Sequence, residues 1–295
     1  MILRWLVNHY LRDAAETALR STVADTLRTR ESPQPAATPR EPKLDEQGQP
    51  IVEEFLPCDV AFIFALGIES GGLTDKLKDK VTSRCKSFIE HAGELSGRQV
   101  VIIEAGVGAT AAARATAETI EFYKPAWVVS AGFAGALTDE VQRGQMLMAD
   151  RIVDLASKEL SVGLKVSPQK GLHVGRLLSV PEIIRTAAEK RELGVQHQAL
   201  ACDMESFAVA EACSALNTRF LSVRIISDAV DQELPKEVEV LLKQKTIAAK
   251  IGAAAGALYN RPGAAKDMWK LREDALVASD RLAKFLIGAM AQLTA

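Results

Sequence analysis

Short runs of β-branched and apolar residues alternate along this chain with longer stretches of helical period, and the alternation begins only near Leu56. Asp59 to Leu66, Gln99 to Glu104, Trp127 to Ala131, Gln145 to Val153 and Phe220 to Asp228 read as strands. Helical spacing predicts helices over Ala109 to Tyr123, Pro181 to Leu193, the small-residue segment after Glu205, residues 236 to 258 and residues 265 to 292. In the last, Trp269, Leu271, Leu276, Leu282, Phe285 and Leu286 are expected in the core. Strands interleaved with helices specify an α/β fold, here one domain over residues 56–295 with a central mixed sheet flanked by helices.

Ahead of that domain, Leu3, Leu6, Val7, Tyr10 and Leu11 recur at helical spacing among charged residues, so residues 1–30 are expected to form an amphipathic N-terminal helix. Pro33, Pro35, Pro39, Pro42 and Pro50 mark residues 31–55 as an extended linker. The segment sets Arg4, Arg12, Arg20, Arg28 and Arg30 against Asp13, Glu16, Asp25 and Glu31, a near balance. Membrane-surface helices carry a mainly basic polar face, so docking on protein is the expectation.

Composition narrows the partners. The 295 residues are 48% hydrophobic and 25% charged with a formal net charge of −2, which offers no general field for nucleic acid or an anionic membrane. No apolar run reaches the ~20 residues that span a bilayer. Cys58, Cys85, Cys202 and Cys213 form no Cys-x-x-Cys pair, and His9, His91, His173 and His197 lack metal-ligand spacing. A cytoplasmic protein with reduced thiols and neither cofactor nor metal is expected.

The candidate chemistry lies in carboxylates at the edges of apolar segments. Glu205, in Cys202-Asp203-Met204-Glu205-Ser206, opens a segment of small and apolar residues, and Asp228 closes the strand Val223-Arg224-Ile225-Ile226-Ser227-Asp228. Such acids can converge at the carboxyl edge of a sheet, where α/β proteins bind ligands. Either could equally complement a helix dipole. Two glycine-rich turns follow strands, Gly106-Val107-Gly108 and Gly132-Phe133-Ala134-Gly135. The first enters a helix as a dinucleotide fingerprint would, but the next strand ends at Ser130-Ala131 without the acid that would hold a ribose hydroxyl. These glycines are expected to let backbone approach a small ligand or a helix. Arg224, inside a strand, reads as a buried ion-pair partner.

Taken together, Val60 to Glu69, Gly106-Val107-Gly108, Ala131 to Leu137, Asp203-Met204-Glu205 and Ser227-Asp228 resemble, in this order, the motifs of the nucleoside phosphorylase superfamily. Within it, the resemblance is to the methylthioadenosine/S-adenosylhomocysteine nucleosidase type and covers roughly residues 59 to 292. Gly171 to Leu193 and the Trp269-containing helix look closer to a bacterial branch, some of whose members are associated with hopanoid lipid synthesis. The resemblance implies a homodimer that hydrolyses the N-glycosidic bond of a purine nucleoside, with 5′-substituted adenosine the expected substrate. Asp228 would protonate the purine N7, Glu69 would act as general base on water, and Glu205 would accept hydrogen bonds from the ribose hydroxyls, with Met204 packing on the sugar. Gly108, Ala131, Gly132, Phe133, Ser227 and Leu177 complete the implied substrate-binding set.

Two departures from the family pattern stand out. Where phosphorylases of the superfamily place an arginine and a serine that bind phosphate, this chain has Ser130 and Phe133, which favours water over phosphate as co-substrate. Where nucleosidases stack an aromatic ring on adenine, it has Leu177 and Leu178, which leaves the base preference open. A phosphorolytic enzyme on the same fold and a nucleoside-binding protein without turnover are the alternatives.

Overall fold

A computed structural model describes residues 58–163, 166–233 and 264–293. The expected N-terminal helix, the proline-rich linker, the helix over 236 to 258 and the side chain of Trp269 lie outside the described residues. In chain order the elements are β1 (Val60–Phe64), α1 (Gly67–Thr74), β2 (Lys78–Arg84), β3 (Ile89–Leu95), β4 (Arg98–Glu104), α2 (Ala109–Tyr123), β5 (Trp127–Ala136), β6 (Met146–Val153), β7 (Glu159–Ser161), β8 (Leu172–Ser179), α3 (Ala187–His197), β9 (Ala201–Asp203), α4 (Ser206–Ala215), β10 (Arg219–Asp228) and α5 (Ala264–Met290).

The strands form one mixed sheet in the order β10-β6-β8-β9-β5-β1-β4-β3-β2, with β7 on β6. Because β10 also pairs with β5, the strands β5, β10, β6, β8 and β9 close on themselves, and β1, β4, β3 and β2 extend from that ring. At the heart lies β1, parallel to β4 on one side and to β5 on the other. All five of its residues are buried, since helices cover both faces. Val60, Phe62 and Phe64 pack with Leu73 of α1 and with Leu282 and Leu286 of α5. Ala61 and Ile63 pack with Ala112 and Ala115 of α2 and Val209 of α4. A strand covered on both faces reads as a continuous apolar run rather than an alternating one, which is why this segment was visible in the sequence.

Helix α2 spans the predicted residues, whereas several other elements differ for identifiable reasons. Strand β5 continues through the second glycine turn to Ala136 because β10 runs parallel beside it from Arg219 opposite Trp127 to Asp228 opposite Gly135. Helix α3 starts at Ala187 rather than Pro181, since Thr186 accepts a hydrogen bond from the Glu189 N–H at 3.3 Å and caps it there. The hairpin of β2 and β3 had no hydrophobic signal, β2 being exposed along its whole length.

Helix α1 was also unmarked, because Gly67, Gly71 and Gly72 are poor helix formers. Tertiary packing supplies what propensity lacks. The Ser279 hydroxyl of α5 accepts the Gly72 N–H at 2.9 Å and donates to the Glu69 carbonyl at 3.0 Å. A Cβ at Gly72 would lie 2.7 Å from the Ser279 carbonyl oxygen. Gly72→Ala is therefore expected to wedge α1 from α5 and lower the unfolding free energy by about 1–3 kcal/mol, read from the shift of the urea midpoint.

Candidate active site

Glu69 sits in the first turn of α1, where its carboxylate joins two segments. One oxygen accepts the Leu66 N–H at 2.9 Å, capping the helix, and the other accepts the Phe133 N–H of β5 at 2.9 Å. The approach is close enough that a Cβ at Gly132 would stand 2.8 Å from the carboxylate, so a glycine is needed there. Burial pushes the Glu69 carboxyl above its ordinary value, opposed by the Phe133 N–H, the Arg224 charge and the Leu66 N–H.

Glu205 stands at the start of α4 but does not cap it. Its carboxylate instead reaches across the site to accept the Gly108 N–H at 2.7 Å, at the start of α2. Gly108 has φ +96°, a backbone conformation open to glycine, so the first glycine turn aims its N–H at a carboxylate. Burial, and then the charges of Asp203 and Glu69, push the Glu205 carboxyl up to about 8. The cap on α4 comes from Asp203, which accepts the Ser206 N–H at 3.1 Å.

Arg224 ties these parts together from beneath. Its guanidinium donates to Asp203 at 2.6 and 2.9 Å, to the hydroxyls of Ser130 and Ser206 at 2.8 Å each, and to the Val223 carbonyl at 3.1 Å. The sequence reading of Arg224 as a buried ion-pair partner holds. It is paired with Asp203, and it also lines the cleft that Glu69, Ala131, Gly132, Phe133 and Glu205 surround.

Asp228 lies further along the same two strands, opposite Gly135, where a Cβ would come 3.0 Å from its carboxylate. Ser227 donates to one of its oxygens at 2.6 Å. The other accepts from Lys190 Nζ of α3 at 2.6 Å, an ammonium with no exposed surface. The sequence placed Asp228 beside Ile225 and Ile226 and gave no sign of Lys190, one lysine in the charged run Glu189-Lys190-Arg191-Glu192 that reads as a solvated face. Asp203 could have been found from its spacing to Ser206, that of an N-cap.

Of the remaining candidates, Met204 packs beside Leu178, Val180 and Cys202. Leu177 is fully buried with Leu147, Ile152 and Phe207, and Leu178 lies in the neighbouring cluster. None of these three is among the residues lining the cleft around Glu69. Among the described residues, no three His, Cys, Asp or Glu side chains gather as a metal site would require.

This architecture has known counterparts. The chain matches the phosphorylase superfamily over residues 59–171 and 156–259, and it belongs to that family. It is 27% identical over 217 residues to the 5′-methylthioadenosine/S-adenosylhomocysteine nucleosidase of Colwellia psychrerythraea strain 34H, covering 63% of this chain and 89% of that protein. The nucleosidase of the same description from Hydrogenovibrio crunogenus is 24% identical over 206 residues, covering 59% of this chain and 87% of its own length. Among solved structures, the Streptococcus pneumoniae nucleosidase of this name with a transition-state inhibitor superposes with a TM-score of 0.60 at 17% identity, covering 80% of this chain and 99% of that one. The Colwellia enzyme in complex with adenine gives a TM-score of 0.58 at 20% identity, covering 81% and 97%. At such identities the superpositions establish a shared fold.

The raised Glu205 carboxyl has a consequence for stability. It ionises near 4.5 in the unfolded chain and near 8 in the folded one, so between those values the folded state holds more protons and stability falls as pH rises. Glu205→Gln should remove that part of the slope. Its urea midpoint is expected to vary less than the parent's over this range and to exceed it at the alkaline end. Parallel profiles for the two proteins would contradict the assignment.

Proposed function

We propose that this protein hydrolyses the N-glycosidic bond of a purine nucleoside, with a 5′-substituted adenosine such as methylthioadenosine or S-adenosylhomocysteine as substrate. One observation carries the reading: carboxylates stand at both ends of one glycine-lined stretch of β5. Glu69 abuts Gly132 and Asp228 abuts Gly135. Three residues of strand span about 10 Å, the scale of a nucleoside from its sugar to the far edge of its base. The names of the relatives point to the same substrate class.

Breaking the bond between C1′ and N9 leaves positive charge on the ribose and negative charge on the departing purine. At the sugar end, Glu205 accepts the ribose hydroxyls with lone pairs that the Gly108 N–H leaves open, and bound hydroxyls favour its ionised form. Glu69 takes a proton from the attacking water. Its two backbone N–H donors fix its orientation, and a carboxyl raised by burial is a stronger base than an exposed one. At the base end, Asp228 delivers a proton to N7 while Ser227 holds its other oxygen. Met204 and Leu177 are proposed to act at one remove, as packing behind the sugar and base positions.

Water suits this cleft better than phosphate. Two carboxylates face it, and the guanidinium at its wall already donates to Asp203, Ser130, Ser206 and a carbonyl. Phosphate would meet repulsion from either carboxylate once ionised, and the guanidinium beside it is already neutralised by Asp203. Cys58, Cys202 and Cys213 are buried free thiols, which accords with a reducing, cytoplasmic setting, and the family resemblance supports a homodimer.

Glu69→Gln and Asp228→Asn should each lower turnover of methylthioadenosine by about 10²–10⁴-fold in folded protein, followed by release of adenine. Near-parental turnover in both would remove these roles. Base release should also be indifferent to added phosphate, with the free 5-substituted ribose as co-product. Accumulation of a ribose 1-phosphate in proportion to phosphate would assign the chain to phosphorolysis instead.

A further inference from the structure

Lys190 is a fully buried lysine whose nearest carboxylate is the one proposed to protonate the leaving base. Its ammonium donates to Asp228 at 2.6 Å, to the Ala229 carbonyl at 3.0 Å and to the Gln232 carbonyl at 2.8 Å, which matches its three protons with three acceptors. Burying an ammonium is costly, and a buried ion pair is weak evidence of a purely stabilising role. A neutral side chain could tie down residues 229 to 232 without that cost. The lysine is not among the residues that line the cleft around Glu69, and it meets Asp228 from a different helix from the other site residues.

Resting on the nucleosidase reading, we propose that Lys190 is a positioning residue that holds the proton Asp228 passes to the departing purine. In the resting pair the proton sits on Lys190 Nζ, which donates to a carboxylate oxygen. As the bond between C1′ and N9 breaks, its electron pair moves onto the purine. An N–H bond of Lys190 breaks as an O–H bond forms on Asp228, and that O–H bond breaks in turn as the proton passes to N7, which leaves Asp228 a carboxylate again and Lys190 a neutral amine. Meanwhile the water oxygen bonds to C1′ and its proton goes to Glu69. After the products leave, Glu69 releases its proton to solvent, and Lys190 regains one by way of Asp228, whose side chain is 8% exposed. The net change is water divided between sugar and base. A carboxylate backed by a proton-bearing amine can thus act as an acid without itself being stored in the protonated form.

The test uses the full-length protein and 5′-methylthio nucleosides whose departing bases differ in acidity, such as 2-fluoroadenine and adenine. A more acidic base leaves with less help from a proton, so loss of the proton source should be felt most with adenine. Lys190→Gln, which keeps hydrogen bonding without the charge, is expected to lower kcat for the adenine substrate by about 10²-fold or more and for the 2-fluoroadenine substrate by much less. Lys190→Arg keeps charge and donors but does not surrender a proton. It should show the same selective loss. An equal factor for both bases in a folded variant, recovery of the adenine rate by arginine, or a rate within about threefold of the parent would overturn the proposal. So would failure of both variants to fold, which would make the lysine a strut for residues 229 to 232. If the parent itself releases no base from any nucleoside, the nucleosidase reading fails and this proposal with it. An active parent separates the two cases.

Discussion

The site depends above all on a buried guanidinium. Arg224 is buried to 3% exposure in the middle of β10, and its donors reach β5 through Ser130, β9 through Asp203 and α4 through Ser206. Removing one member of such a buried pair leaves a charge without compensation, at a cost on the order of 3–5 kcal/mol. The same cation lowers the cost of ionising Glu69 and Glu205 above it. Asp203 in turn neutralises Arg224 and caps α4, so the helix start that presents Glu205 is fixed by the charge beneath the cleft. Fold and electrostatics are therefore set by one network.

Around that centre, backbone N–H groups orient the carboxylates. Glu69 is held by Leu66 and Phe133, and Glu205 by Gly108. Backbone donors on regular elements lose little freedom on reaction and need no rearrangement when charge develops, which is the property a preorganised site requires. Gly132 and Gly135 make the complementary contribution. Where other strand residues would project a Cβ, these leave room for Glu69 and Asp228. The role expected of the glycines, close approach, is realised, but the groups that approach are the protein's own acids.

The departures from the phosphorylase pattern acquire a physical meaning in this arrangement. Ser130 carries no positive charge, and its hydroxyl is bound to Arg224 beneath the cleft. Phe133 contributes its N–H to Glu69, while its ring packs against the core that includes Phe64 and Ile225. A cleft so built presents two carboxyl groups and an apolar wall, and the guanidinium at its wall is paired with Asp203.

Much of this was present in the sequence taken alone. The doubly covered strand β1, helix α2 and the acids ending Val60 to Glu69 and Ser227-Asp228 are local patterns, and local patterns follow from the periodicity of burial and from motif order. Membership of the superfamily followed from the order of five motifs. Other features needed the fold. The glycine-rich helix α1 forms because Ser279, more than 200 residues away, satisfies its backbone, and the exposed strand β2 had no burial pattern to reveal it. Only the tertiary structure decided that Glu205 turns from its own helix to Gly108, that Arg224 pairs with Asp203 and that Lys190 leaves its charged run to meet Asp228. A carboxylate's place in the chain is set by sequence, but its partner is whichever group the packing brings within about 3 Å, and hydrogen bonding and charge at that distance determine what it can do.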